Sequence, residues 1–205
     1  MSVNTHVAPV KLDSSMRSKC LWLRFKAKVL LVFGLRTQAH AVFQDILDIN
    51  PQDVLALNSL GYNELSNRHL VQALGFFERA LVLTPANANA HFNVGFVCEE
   101  LGRSQEAEHA FRAAIQIDEK MDRAWYGLGL VLVRQQRFEE SLVAFKRNTA
   151  LQSMSPYAWY QMARVHMEMH EPDKALEVMR HLNGFEPKVA AQLERETGLK
   201  LDRPV

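Results

Sequence analysis

Two histidines, His166 and His170, stand four residues apart in the segment HMEMH, the most metal-like pattern in the chain. At helical periodicity this spacing puts both imidazoles on one face, where a divalent metal such as Zn²⁺ could bind. Glu168 or Glu171 would then supply a third ligand. The competing interpretation is a buried structural histidine, so the choice depends on whether residue 166 faces a core.

Other patterns that would indicate catalysis or cofactor binding are absent from the sequence. The Gly-x-Gly at 127–129 lies inside a helical pattern rather than after a strand, so it indicates helix packing. No phosphate-binding loop, nucleophile elbow or paired-cysteine zinc spacing occurs. Cys20 and Cys98 are too few for a disulfide framework and indicate a reducing compartment. We therefore expect no catalytic activity, no cofactor and no bound metal.

Charge is unevenly distributed along a chain whose net charge is only +1. Residues 1–36 contain seven basic side chains and one acidic side chain, Asp13, which leaves the rest of the chain acidic. Such a basic end suggests an anionic partner, either a membrane surface or an acidic protein patch, and the alternative is a solvated first helix. The apolar segment at 29–35 is too short to span a bilayer.

Small residues recur every 34 positions and organise the chain, at Ala27, Gly61, Gly95, Gly129 and Ala163. Five units follow one another without insertion, over 20–53, 54–87, 88–121, 122–155 and 156–189. Each unit contains two apolar helical segments joined by a turn. Helices of about 13 residues are unstable alone, so they must stack on their neighbours. Residues 20–35 fit this register as a helix, which favours a structural role over a signal peptide.

The residues that carry the period resemble the tetratricopeptide repeat family. The family pattern is matched in one unit by Leu57, Leu60, Gly61, Ala73, Phe77, Ala80 and Pro85, and in another by Trp125, Leu128, Gly129, Leu132 and Phe145. The resemblance covers 20–189 and implies an all-α, right-handed superhelical solenoid of five helix-turn-helix units. Lys26 departs from it at a usually apolar place. We expect a capping helix and tail over 190–205 and a flexible N-terminal tail over 1–19.

The repeat also predicts which side chains face the interior. Gly95 lets the two helices of its unit approach, while Val94 and Cys98 fill the space around it. His166 occupies the same place in its unit as Cys98 and Leu132, which favours a structural histidine and an inert Cys98.

The resemblance further implies a concave groove formed mainly by the first helix of each unit. Its predicted residues are Asn58, Ser59, Tyr62, Asn89, Phe92, Asn93, Phe96, Arg123, Tyr126, Leu130, Tyr157, Tyr160, Gln161 and Arg164. Exposed aromatics are typical anchors of interaction sites, and Asn93 resembles the family asparagine that binds a peptide backbone. Arg123 and Arg164 could pair with a carboxylate. Asn93 and Arg123 match two places of the family's carboxylate clamp, but a full clamp is not expected, because Asn58, Tyr62 and Gly127 replace others.

These features predict a cytoplasmic, non-catalytic scaffold or adaptor that binds a peptide or protein segment and assembles a membrane-associated complex. No nucleic-acid partner is expected, because no basic stripe follows the array. The first helix places Arg24, Lys26 and Lys28 among apolar residues, as candidate contacts to a membrane or another anionic partner. Two alternatives remain: a homo-oligomer whose groove receives a neighbour's first helix, and a subunit that recruits substrate for a separate enzyme.

Overall fold

A computed structural model describes residues 10–201 of the chain. Within this range the regular elements are eleven α-helices, and no strand occurs. The helices are α1 (Ser14–Val32), α2 (Arg36–Ile49), α3 (Val54–Ser66), α4 (Leu70–Leu83), α5 (Ala88–Glu100), α6 (Ser104–Ile117), α7 (Asp122–Arg134), α8 (Phe138–Leu151), α9 (Pro156–Glu168), α10 (Pro172–Asn183) and α11 (Pro187–Thr197). They form two compact units that divide between Arg103 and Ser104.

The first helix starts earlier than the repeat pattern predicts. It begins at Ser14 because the Asp13 carboxylate accepts a 2.8 Å hydrogen bond from the Met16 N–H and so caps the first turn. Residues 14–19, predicted as part of a tail over 1–19, are therefore helical. Residues 1–9 and 202–205, which belong to the two predicted tails, lie outside the described residues.

The first unit stacks α1 to α5 in chain order, each helix packed on the next. Its core contains large aliphatic and aromatic side chains from α1 to α4, among them Leu23, Phe43, Ile46, Leu57 and Leu60. A small residue is needed where α3 meets α4, since a Cβ added at Gly61 would lie 2.7 Å from Cε1 of Phe77. The predicted role of the periodic glycine in close helix approach is confirmed at this position.

The second unit stacks α6 to α10 in the same way, and α11 packs on both α9 and α10. Its core is built around Phe145, Met179 and Leu182. The helix predicted over 190–205 corresponds to α11, which begins earlier, at Pro187, and buries Ala190 and Leu193. It ends at Thr197, before Gly198 with a left-handed φ of 77°.

The turn inside each repeat has a left-handed residue that the sequence pattern did not single out. Positive φ values of 57–75° recur every 34 residues, at Gly34, Arg68, Gly102, Gln136 and His170. Only two of these five are glycine. The turn geometry is therefore imposed by helix packing even where the side chain disfavours it.

Candidate peptide-binding surfaces

The predicted groove residues lie on the first helices of the second to fifth repeats, which are α3, α5, α7 and α9. In the first unit they come from α3 and α5, and in the second unit from α7 and α9. Each pair of helices carries its own row of aromatic side chains, so the two rows are separate candidate surfaces.

Tyr62 is the central aromatic of the first row. Its ring meets Phe77 edge-on at a centroid distance of 5.1 Å, and 47% of the residue remains exposed. Its hydroxyl donates a 2.9 Å hydrogen bond to Oδ1 of Asn93. The α4 core residue and the α5 amide thus fix the position of an accessible tyrosine.

Asn93 differs from the prediction that it faces an open groove. The residue is only 5% exposed, and its side-chain oxygen accepts from Tyr62. Gly95 and Cys98 are buried as predicted, but Asn93 and Val97 are buried too, so the interior face of α5 is wider than the predicted one. The reason is that α5 also packs on the preceding helix, α4. Asn93 therefore positions Tyr62.

Phe92 and Phe96 continue the first row along α5. Their rings stack at a centroid distance of 6.2 Å, and Phe96 remains partly exposed. On α3, the Asn58 amide donates to the Val54 carbonyl at 2.9 Å, and its Oδ1 is buried without a partner. Ser59 is half-buried and Asn89 is exposed.

A cavity of about 660 Å³ adjoins Tyr62 and was not predicted from the sequence. Polar side chains of α2, α3 and the turn after α3 line it, including His40, Asn63, Glu64 and His69. Nδ1 of His40 lies 3.0 Å from Oδ1 of Asn63, and Nδ1 of His69 lies 2.7 Å from Oε2 of Glu64. The sequence did contain a signal for this cavity. Asn63 and Glu64 are polar at the two places that the apolar residues Val97 and Cys98 occupy in the next repeat.

The second row consists of Tyr126, Tyr157 and Tyr160. The Tyr126 ring lies 6.5 Å from Tyr157 and 5.9 Å from Phe145, which anchors it to the core. Tyr157 is 68% exposed and, with Tyr160 on α9 and Val189 on α11, lines a cavity of about 250 Å³. This pairing of an accessible ring with an apolar cavity is suited to an aromatic or aliphatic side chain of a ligand.

Tyr160 is tied to the last helix. Its hydroxyl donates a 2.6 Å hydrogen bond to Glu196, and this bond holds the pKa of the Glu196 carboxyl below its ordinary value of 4.5. The same interaction raises the pKa of Tyr160. Arg164 lies over the Tyr160 ring at 5.8 Å, and its charge also favours the Glu196 carboxylate. A carboxylate of the chain itself thus lies beside Arg164, which was predicted to pair with a ligand's carboxylate.

The remaining predicted residues of the second row differ in exposure. Leu130 packs partly buried against the core, so its contribution to a ligand surface is limited. Gln161 is half-buried, and Arg123 is exposed near the start of α7.

His166 and His170 lie in different local environments. His166 is buried, and its Nδ1 lies 2.8 Å from Oε2 of Glu171, whose other oxygen accepts from Lys174 at 2.7 Å. His170 is exposed in the left-handed turn. No cluster of three or more potential ligands suited to a metal occurs among residues 10–201. The buried, hydrogen-bonded His166 has the features of a structural histidine.

The candidate anionic contact on α1 requires one correction. Arg24 forms an ion pair of 2.6 Å with Asp53, a fully buried carboxylate that also caps α3 through a 3.0 Å bond from the Ala56 N–H. Arg24 is therefore a structural link between α1 and α3. Lys26 and Lys28 are exposed. Among the residues described, no helix combines the length and the apolar character needed to cross a membrane.

The repeated helix hairpins and their accessible aromatic rows define a helical-repeat protein of the interaction-scaffold class. A sequence model of the tetratricopeptide repeat matches residues 26–88 and 99–147, more than half of the chain, and a second one matches residues 76–109. The chain belongs to the tetratricopeptide repeat family.

Solved structures confirm the all-α repeat solenoid. The crystal structure of MamA protein superposes with a TM-score of 0.77 at 17% identity, over 90% of this chain and 98% of that one. YrrB, a TPR protein with an unusual peptide-binding site, superposes with a TM-score of 0.73 at 20% identity, over 82% of this chain and 88% of YrrB. At these identities the similarity is one of fold.

A curated relative is similar over half of the chain. The protein O-mannosyl-transferase TMTC3 of Mus musculus is 26% identical over 110 residues, which is 50% of this chain and 12% of the transferase. The Homo sapiens protein matches at 26% over 108 residues. Because so small a part of the transferase is matched, its activity is not transferred to this chain.

Proposed function

We propose that this protein is a non-catalytic scaffold that binds a peptide or protein segment through the aromatic rows on its first helices. The observation that carries the proposal is the exposure of rings that the fold positions but does not bury, above all Tyr62 and Tyr157. Accessible aromatics held by a rigid framework are typical binding anchors, because they bury a large area at a small cost in entropy.

The first row offers both an apolar and a polar subsite. Phe92 and Phe96 form a stacked apolar surface, and the cavity beside Tyr62 provides amide, imidazole and carboxylate groups. A segment with one apolar residue and one hydrogen-bonding residue fits this combination. The second row is more apolar and suits an aromatic or aliphatic anchor.

A selection from a random peptide library displayed on phage tests the proposal. We expect enriched peptides to bind the wild type, and the variant Phe96→Ser with Tyr157→Ser to lose at least about tenfold in affinity. Both side chains are partly exposed, so circular dichroism should show an unchanged helical fold.

The matched control replaces exposed apolar residues on the second helices of repeats. Val71 on α4 and Val143 on α8 are 70% and 61% exposed, so Val71→Ser with Val143→Ser removes similar surface outside the aromatic rows. Peptides that bind both double variants as well as the wild type would place binding elsewhere and contradict the proposal. So would a selection that enriches no peptide.

A further inference from the structure

The face of α1 that is turned away from the core of the first unit is apolar, whereas the exposed face of a surface helix is usually polar. Leu23 and Ala27 point into the core of the first unit, whereas Trp22 and Phe25 are 59% and 67% exposed. Leu21, Val29 and Val32 are also exposed. The last helix, α11, shows the expected contrast, since Lys188, Gln192, Arg195 and Glu196 are exposed there.

The 34-residue period shows how unusual these side chains are. Trp22 occupies the place of Ala56 and Ala90, which are buried in the next two repeats. Lys26 occupies the place of Leu60, which is fully buried. At both places α1 thus has a large or charged side chain where later first helices bury a small or apolar one.

The charges of α1 are arranged around this apolar face. At about 100° per residue, Leu21, Trp22, Phe25, Val29 and Val32 fall within an arc of about 100°. Lys28 lies just beyond one edge of the arc, and Lys26 and Lys19 lie beyond the other. None of these three lysines forms an ion pair within the described residues, and the Lys26 ammonium lies 5.4 Å from the centre of the Trp22 ring.

We propose that α1 is a docking surface for an anionic phospholipid bilayer, lying in the plane of the membrane interface. The apolar arc would enter the boundary between headgroups and acyl chains, and the lysines on its two edges would extend to the phosphates. Trp22 suits this depth because its indole has both an apolar ring and a polar N–H.

Charge complementarity selects the bilayer over a second copy of the chain. Residues 10–36 contain seven basic side chains and one carboxylate, that of Asp13, which caps α1. Two copies of α1 facing each other would repel. Three flexible lysines flanking an apolar arc fit a diffuse anionic surface, whereas a protein carboxylate at a fixed site favours the planar geometry of arginine. Arg24, an arginine of α1 that lies near the core, already pairs with Asp53.

Vesicle flotation with the full chain tests the proposal. We expect flotation with phosphatidylcholine vesicles that contain about 30% phosphatidylglycerol and none with phosphatidylcholine alone. Binding should fall when salt rises from about 0.05 to 0.5 M, because screening weakens the lysine contacts. The apolar variant Trp22→Ser with Phe25→Ser and the charge variant Lys19→Glu, Lys26→Glu, Lys28→Glu should each lower the partition coefficient at least about tenfold.

Matched controls separate this surface from net charge and general hydrophobicity. Lys120→Glu with Lys146→Glu and Lys188→Glu makes the same change in charge at exposed lysines on other parts of the chain. Val71→Ser with Val143→Ser serves as the apolar control, and both should float like the wild type. Circular dichroism establishes that each variant is folded.

Three results would overturn the proposal. They are no flotation of the wild type with anionic vesicles at low salt, equal loss in the control variants, or a dimer in light scattering that dissociates in the Trp22→Ser, Phe25→Ser variant. The last result would assign the face to a second copy of the chain. Peptide selection uses the first helices of later repeats, so its outcome is independent of this one.

Discussion

The Tyr62 hydroxyl on α3 donates a 2.9 Å hydrogen bond to the side-chain oxygen of Asn93 on α5. The donor is half exposed and the acceptor is buried, so the two partners depend on the bond unequally. If the bond is lost, the exposed Tyr62 hydroxyl can bind water instead. The buried Asn93 oxygen cannot do so without a rearrangement.

Removing the donor should therefore be costly. We expect Tyr62→Phe to lower the free energy of unfolding by about 1–3 kcal/mol, the range for a buried polar group left without a partner. The double variant Tyr62→Phe, Asn93→Ala should lose less than the sum of the two single variants, because both remove the same bond. Urea unfolding measures the four free energies, and strictly additive losses would contradict the coupling.

Two helical glycines should respond in opposite ways to alanine. Gly61→Ala places a Cβ 2.7 Å from Phe77, so overpacking should lower stability by about 1–3 kcal/mol. Gly75 on α4 has no atom within 4 Å of an added Cβ, and Gly75→Ala should raise stability by about 0.5–1 kcal/mol through helix propensity. Thermal unfolding followed by circular dichroism gives both signs, and a similar shift for both variants would refute the packing argument.

The left-handed turn residue offers a second pair of opposite substitutions. Gln136 has a φ of 59°, so Gln136→Gly should stabilise the fold by about 1 kcal/mol. Gly102 has a φ of 75° at the equivalent place, and Gly102→Ala should destabilise it by a similar amount. The denaturant concentration at the midpoint of unfolding, measured for each variant and the wild type, gives both changes in stability. Destabilisation by Gln136→Gly would mean that the glutamine side chain, rather than backbone geometry, controls this turn.

The bond between Tyr160 and Glu196 predicts a dependence on pH. The pKa of Glu196 is lower in the folded chain than its ordinary value, so the carboxylate stabilises the fold above the unfolded pKa. This contribution is lost as pH falls through the lower, folded pKa. Glu196→Gln should therefore reduce stability near neutral pH and flatten its decline in acid, measured by urea unfolding at a series of pH values. An unchanged acid profile would show that the bond is not maintained in solution.

His166 should behave as a core residue. Leu132 fills the equivalent place in the preceding repeat and is buried, so we expect His166→Leu to change stability by less than about 1 kcal/mol. His166→Ala should lose about 2 kcal/mol or more, because it leaves a cavity. Calorimetric titration of the wild type with Zn²⁺ should show no saturable binding. Saturable binding that His166→Leu and His170→Ala each abolish would restore the metal-site interpretation.

The repeat itself could be read from the sequence because its causes are local and periodic. A small residue at Gly61 and a large ring at Phe77 lie 16 residues apart within one helix pair, and the same pair returns at Gly129 and Phe145. Five small residues in one register therefore predict the same helix hairpin in each repeat.

The surfaces were predicted only in part. Tyr62 and Tyr157 are exposed on the first helices as expected, because they lie outside the buried face of α3 and α9. Asn93 and Arg24 were assigned to open surfaces, yet one is buried against Tyr62 and the other is bound to Asp53. The cavity that includes His40 and Glu64 was missed, since its lining comes from two successive repeats.

The amino-acid sequence by itself determined the helical repeat, its 34-residue period and the side chains available for binding. Only the tertiary structure decided which of those side chains are already engaged. The physical reason is distance along the chain: Arg24 and Asp53 are 29 residues apart, and Tyr62 and Asn93 are 31 apart. A period of 34 residues fixes the residue at each place, but the partners of Arg24 and Tyr62 come from the neighbouring repeat and depend on how the helices pack.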